Sequence, residues 1–257
     1  MVKKECDKFN NSNIFEGMSS ISALLKSIEN KSNDRRIIKI IFSEEKLKSK
    51  SRELYFLKKQ AEKHGFDIEI TSPESIDMLT TGNTHGGIIA MCTERSLPSL
   101  DLSSIKDKGV YFILDGVEDP YNFGYAVRSL YAAGVDGVII GERNWMGAAG
   151  IVARSSAGTS ELIDMYVSDA PAAISMFKEK GYSVVCAGIR DSESLFDTDL
   201  SKPMLVIMGG EKRGISRTVL DMADKIVRID YNSEFGGSLS TAAASAVFAF
   251  EIMRYNR

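Results

Sequence analysis

The order of apolar and polar positions divides the chain into alternating helices and strands. Ser19 or Ser20 caps a predicted helix in which Ile21, Leu24, Leu25 and Ile28 recur at helical spacing. The β-branched run Ile37-Ile38-Lys39-Ile40-Ile41-Phe42 predicts a buried strand. A helical pattern follows Ser43 and runs to about His64, where Gly65 is placed to stop it. Residues 66–70 alternate apolar and charged, as a strand does. Ser72 followed by Pro73 starts a further helix, and residues 86–92 close with another strand. This α-β-α-β-α-β order predicts a small α/β domain over residues 1–92. Residues 93–104 are more polar, carry Pro98 and read as a linker.

Residues 105–257 repeat the alternation on a larger scale. A strand at 109–115 leads to a helix from Asn122 to Ala133, with Asn122 as a possible cap and Gly134 as its stop. A strand at 137–140 and a helix at 148–155 follow. Asp169 or Ala170 opens the next helix, with Pro171 tolerated in its first turn. Strands at 183–187, 204–208 and 225–230 precede a closing helix from about 238 to 254. Strands separated by helices predict a mostly parallel sheet covered on both faces.

Composition narrows the functional classes. In 257 residues, 44% hydrophobic and 26% charged side chains describe an ordinary globular chain. No stretch approaches the roughly 18–20 apolar residues of a membrane span. The polar start MVKKECDKFNNSN lacks the apolar core of a signal peptide, so a cytosolic location is expected. Three widely spaced cysteines, Cys6, Cys92 and Cys186, make no disulfide framework; the last two sit in apolar strands and read as inert core thiols. Residues 1–100 carry 16 basic and 14 acidic side chains, and the remainder 16 and 21. With a net charge of −3, any nucleic-acid site must be a local patch. Lys46, Lys48, Lys50 and Arg52 form one candidate, readable either as a solvated helix face or as a phosphate-binding patch. His64 and His85 are the two histidines, and no Cys or His pair has metal-ligand spacing.

Three glycine-bearing segments each follow a strand, where open α/β sheets bind ligands. The first, Asp119-Pro120-Tyr121-Asn122-Phe123-Gly124, continues to Arg128. The second is Gly209-Gly210-Glu211-Lys212-Arg213-Gly214, after the strand ending at Met208. The third, Gly236-Gly237-Ser238-Leu239-Ser240, leads into the last helix. Gly209 and Gly214 have phosphate-loop spacing, but Ile215 stands where the lysine is required, which excludes that reading. Alone, Asn122 reads as a cap, Arg128 as a solvated cation and Glu211 as a loop carboxylate.

Together the three segments resemble the SpoU/TrmH family of RNA ribose 2′-O-methyltransferases. The first matches N-x-G-x-x-x-R at Asn122, Gly124 and Arg128. The second matches G-x-E-x-x-G at Gly209, Glu211 and Gly214. The third matches S-L-N in part, at Ser238 and Leu239, with Ser240 in place of asparagine. Asp230-Tyr231 stands where the family usually has proline-methionine. The first half resembles the family's substrate-binding module, with Thr84-His85-Gly86-Gly87 and the apolar residues after it as its closing segment.

The resemblance implies a C-terminal trefoil-knotted α/β domain that binds S-adenosylmethionine and works as a homodimer, plus a small N-terminal α/β domain for substrate RNA, ribosomal or transfer. Ala187, Gly188, Met208, Gly209, Gly210, Ile229 and Leu239 would hold the cofactor. Asn122, Arg128, Glu211, Ser238 and Ser240 would form the catalytic site. A guanidinium does not readily take a proton, so Arg128 is expected to orient the ribose or phosphate and stabilise developing charge. Lys46, Lys48, Lys50, Arg52 and His85 are the RNA-binding candidates, His85 being equally readable as a structural loop residue. Neither a metal nor a membrane is implied. A protein of this fold that binds RNA without catalysis, or one that methylates a base, are the alternatives.

Overall fold

Each apolar run pairs into one of two sheets, and the sheets belong to two separate units. The computed structural model describes residues 13–80, 85–142, 146–234 and 236–257. Thr84 and Cys6 lie outside them.

The first unit comprises the described residues up to Ser96 together with 146–162. Its elements are β1 (Ile14–Glu16), α1 (Gly17–Asn30), β2 (Ile37–Ser43), α2 (Ser51–His64), β3 (Asp67–Thr71), α3 (Pro73–Asp77) and β4 (Ile88–Cys92). The sheet order is β1-β4-β2-β3. β2 runs parallel to β3 and antiparallel to β4. β1 has no signal in the sequence, because three residues are too short to show alternation. α1 begins at Gly17, so neither Ser19 nor Ser20 is its cap. Residues 44–46 form a short 3₁₀ helix and 47–50 hydrogen-bonded turns before α2 starts, and Gly65 ends α2 in the left-handed conformation with φ 73°. The core gathers Phe15, Ile21, Leu24, Ile40, Phe42, Leu57 and Ile88 with Ala149 and Ala153. Those two alanines lie on α5 (Ala149–Ser155), which the chain inserts after the second unit has begun.

A buried ion pair fixes this inserted segment. Arg35 Nε lies 3.0 Å from Glu161 Oε2, with both side chains at least 96% buried. Asn33 donates to the Glu161 backbone oxygen, and Arg35 Nη1 donates to Thr93 O and Asn13 Oδ1. The Arg35 guanidinium also sits 4.9 Å from the centre of the Phe15 ring. The pair is thus both charge-matched and hydrogen-bonded, which is the condition for keeping charges in a core.

The second unit holds residues 97–142 and 163–257 as described. It contains β5 (Val110–Asp115), α4 (Pro120–Ala132), β6 (Gly137–Ile140), β7 (Met165–Val167), α6 (Ala170–Glu179), β8 (Ser183–Ala187), β9 (Glu193–Ser194), β10 (Met204–Gly209), α7 (Arg217–Met222), β11 (Lys225–Arg228) and α8 (Thr241–Tyr255). Seven strands run in the order β7-β6-β5-β10-β8-β11-β9, and every neighbouring pair is parallel. β5 and β10 lie side by side at the centre and are almost wholly apolar, as strands covered on both faces must be. Tyr111, Phe177 and Tyr182 pack ring to ring on one face, with centroids 4.9–5.9 Å apart. α8 packs on α4.

Candidate active site

The site stands at the carboxyl ends of β5, β8, β10 and β11. The loop after β10 is shaped by backbone contact. A side-chain carbon at Gly210 would lie 1.9 Å from the Gly116 carbonyl oxygen, and one at Gly209 would lie 2.6 Å from the Gly214 carbonyl carbon. Gly210 N–H donates to Asp115 O at 2.7 Å. Only glycine lets the loops after β5 and β10 close on each other this tightly. The same burial at the end of β5 raises the Asp115 carboxyl above the usual range.

A cavity of about 620 Å³ opens beside that loop. Ala187, Gly188, Met208, Gly209, Gly210, Ile229 and Leu239 all line it, with Glu211 and Ser238. The motifs do not single out Arg190, Arg228, Asp230, Tyr231 or Phe248 as site residues, and these line it too. For Asp230 and Tyr231 the available signal is their position just before the third glycine segment. Arg228 Nε lies 2.7 Å from Asp230 Oδ1. Hydrogen bonding from Ser194, then Arg228, holds the Asp230 carboxyl below its ordinary value. Tyr231 Oη accepts the Leu239 N–H at 3.1 Å, tying the strand exit to the third segment.

A second hollow adjoins the first through Glu211, which lines both. It is bounded by Gly116, Glu118, Asp119, Pro120, Asn122, Glu211 and Lys212. Asn122 is not the helix cap. Asp119 takes that place, its carboxylate accepting from Tyr121 N, and Pro120 occupies the first helical position. Asn122 therefore lies inside α4, and its side chain is released from capping. Its Nδ2 donates to Glu211 Oε1 at 3.0 Å, joining residues 89 positions apart.

The remaining predicted residues lie elsewhere. Arg128 is exposed on α4, lines neither hollow and has no ion pair among the described residues. Ser240 caps α8, its hydroxyl accepting from Ala243 N at 3.3 Å. Thr241 Oγ1 donates to Gly209 O at 2.9 Å, so the helix start is bonded to the loop after β10.

In the first unit, His85 is buried. Its Nε2 lies 2.9 Å from Asp77 Oδ1 and its Nδ1 accepts from Gly87 N at 3.0 Å. Both ring nitrogens are thus engaged within the first unit. The stem of Lys46 lies over that turn at Gly87 and the ammonium group of Lys50 at Gly86, while Lys48 and Arg52 are exposed. Among the described residues, no cluster of three or more His, Cys, Asp or Glu side chains could hold a metal ion, and no helix is long and apolar enough to cross a membrane.

A parallel sheet whose strand-end loops enclose a cavity defines an α/β protein with a ligand site at its strand ends, and comparison with known proteins narrows this. Residues 109–250 match the SpoU rRNA methylase family, and residues 14–98 match the RNA 2′-O ribose methyltransferase substrate-binding family. The chain belongs to the SpoU rRNA methylase family. It is 30% identical over 250 residues to the 23S rRNA (guanosine-2′-O-)-methyltransferase RlmB of Shewanella oneidensis, covering 95% of this chain and 98% of that one. It is 26% identical to the putative TrmH family tRNA/rRNA methyltransferase YacO of Bacillus subtilis, over 88% of this chain and 92% of that one. Among solved structures, an RNA 2′-O ribose methyltransferase superposes with a TM-score of 0.77 at 19% identity, over 94% of this chain and 88% of that one. An AdoMet-bound rRNA methyltransferase from Sinorhizobium meliloti gives 0.75 at 20% identity, over 98% and 90%.

Proposed function

We propose that the protein is an S-adenosylmethionine-dependent RNA methyltransferase acting on a ribose 2′-hydroxyl. The observation that carries this reading is the meeting of three sequence-distant loops around one cavity, with Asn122 bonded to Glu211 at its edge.

The cavity fits the cofactor. Its volume is within the ordinary range for small-ligand sites, roughly 300–1,000 Å³. Met208, Ile226, Ile229 and Leu239 offer an apolar wall for an adenosine, and Arg190, Glu211 and the Arg228–Asp230 pair offer polar ends for an amino acid moiety. S-adenosylmethionine bound there supplies an electrophilic methyl group. The chain's own residues bind and align. Asn122 commits its amide N–H to Glu211, leaving Oδ1 to accept from a ribose hydroxyl in the adjoining hollow. Holding the hydroxyl in line contributes much of the rate.

Arg128 is the group that would stabilise charge on the ribose oxygen. Its exposed guanidinium is available to a site shared with a second copy, in keeping with a homodimer built on residues 109–257. The knotted course of this domain, the use of Ser238 at the site, and the RNA role of Lys46, Lys48, Lys50 and Arg52 belong to the same reading. Ribosomal RNA is the favoured substrate, supported by the RlmB relative that matches nearly end to end.

The test has two stages. Calorimetry measures S-adenosylmethionine binding, and transfer of labelled methyl to bulk RNA is followed by nucleoside analysis. The expected products are 2′-O-methylated nucleosides. A methylated base would replace the ribose assignment, and RNA binding without transfer would make the protein a non-catalytic member of its family.

A further inference from the structure

We propose that α2 carries a stacking site for unpaired RNA, centred on Tyr55 and flanked by Arg52, Phe56 and Lys59. The proposal takes its ligand class from the RNA-methyltransferase reading. Positions 52, 55, 56 and 59 lie three or four apart and so share one helix face. Tyr55 is 66% exposed and Phe56 41%. Lys59 Nζ stands 6.0 Å from the centre of the Tyr55 ring.

Other side chains anchor the helix. Leu57 is buried, and Leu54 and Ala61 pack against the same core. The surrounding charge is unlike that of the chain. Residues 46–59 hold six basic side chains and one acidic one, in a protein whose net charge is −3. Cations alone would serve a duplex, whose base faces are hidden. Exposed rings set among cations match a strand whose phosphates need neutralising and whose bases are free to stack. A membrane is a poorer fit, because the apolar side of α2 is already spent in the core and leaves no face to insert.

The experiment uses the full chain, a short oligoadenylate containing 2-aminopurine, and an RNA hairpin duplex closed by a non-nucleotide linker, which has no unpaired bases. Binding of the unpaired strand should quench the 2-aminopurine. Tyr55→Ala should weaken that binding by about 5- to 100-fold and abolish the quench. The dependence of log affinity on log salt should stay unchanged, because every cation that meets a phosphate is still present. Tyr55→Phe should keep both affinity and quench, and Tyr55→Ala should leave hairpin binding unchanged. Equal loss on strand and hairpin, or no loss on either, overturns the proposal. So does disruption of self-association by Tyr55→Ala in sedimentation, or tighter binding to phosphatidylserine vesicles than to RNA. Calorimetry with S-adenosylmethionine on the same samples reports separately on the methyltransferase reading.

Discussion

Asn122 stands third in α4 because Asp119 takes the cap, and that displacement turns a turn-former into a group facing Glu211. Asn122→Ala should leave the helix start intact and lower methyl transfer, with S-adenosylmethionine affinity held within a few-fold. Arg128→Ala should abolish transfer with cofactor binding likewise retained, and Arg128→Lys should fail too, since lysine lacks the planar fork of donors. Parallel loss of cofactor affinity in calorimetry would count against both roles. Gly210→Ala meets backbone instead of a yielding side chain. It should cost about 3 kcal/mol or more, at the top of the overpacking range, read by urea denaturation. Burial pushes the Cys92 and Cys186 thiols up to about 12. Unfolded thiols ionise near pH ~8.5. The stability held by the neutral thiols is therefore complete below that pH and is lost as pH rises toward about 12. Melting temperature should fall across that window, and Cys186→Ala should remove part of the slope.

At the level of elements, caps and inserted segments decide more than propensity. The family's asparagine is Ser240 here, and its hydroxyl starts α8. Ser240→Ala should cost about 0.5–2 kcal/mol, while Ser240→Asn, an equally good cap, should not. Thermal melts distinguish this from a catalytic role, in which Ser240→Ala would lower transfer at unchanged stability. The segment 146–162 follows β6 in sequence but packs in the first unit. Glu161→Ala would strand Arg35 in the core and should cost about 3–5 kcal/mol, with Glu161→Gln costing less because an acceptor remains. The apolar face of α8 expected to meet a second copy comprises Ala242, Ala243, Val247, Phe248 and Ile252, and such spacing does not by itself tell an intersubunit surface from a core face. Ala242, Phe248 and Ile252 are buried within the protomer, where α8 packs on α4, and Ala243 and Val247 are half-buried. Tyr121 and Tyr125 on α4 and Phe250 and Tyr255 on α8 are the large apolar groups that this helix pair leaves exposed.

For the whole molecule, charge is concentrated locally. An acidic chain that binds RNA must do so through patches, and the run from Lys46 to Arg52 supplies one. Changing Lys46, Lys48 and Lys50 to Glu should weaken RNA binding. Each phosphate left without its lysine should flatten the log–log salt dependence by about 0.7–0.9. Normal binding at every salt concentration would reduce the cluster to a solvated face. Light scattering at micromolar concentration should give the mass of a homodimer, and a monomer would remove the shared site proposed for Arg128.

Local order along the chain was enough for the strands with long β-branched or apolar runs, β2, β5, β6, β8 and β10, and for helices with a clear stop, such as α2 at Gly65. Their signals lie within a few residues of one another, so no partner is needed to see them. The three glycine segments were legible for the same reason. β1, β7 and β9 were not, because strands of two or three residues have no period and exist through hydrogen bonds to distant neighbours. The bond between Asn122 and Glu211, the pairing of Arg35 with Glu161 and the closure of Gly210 on Gly116 join positions 89, 126 and 94 apart. Such long-range pairings leave no local pattern. They are decided when each sheet brings distant segments together, since only then do the loops share a surface and the buried polar groups find the partners that burial demands.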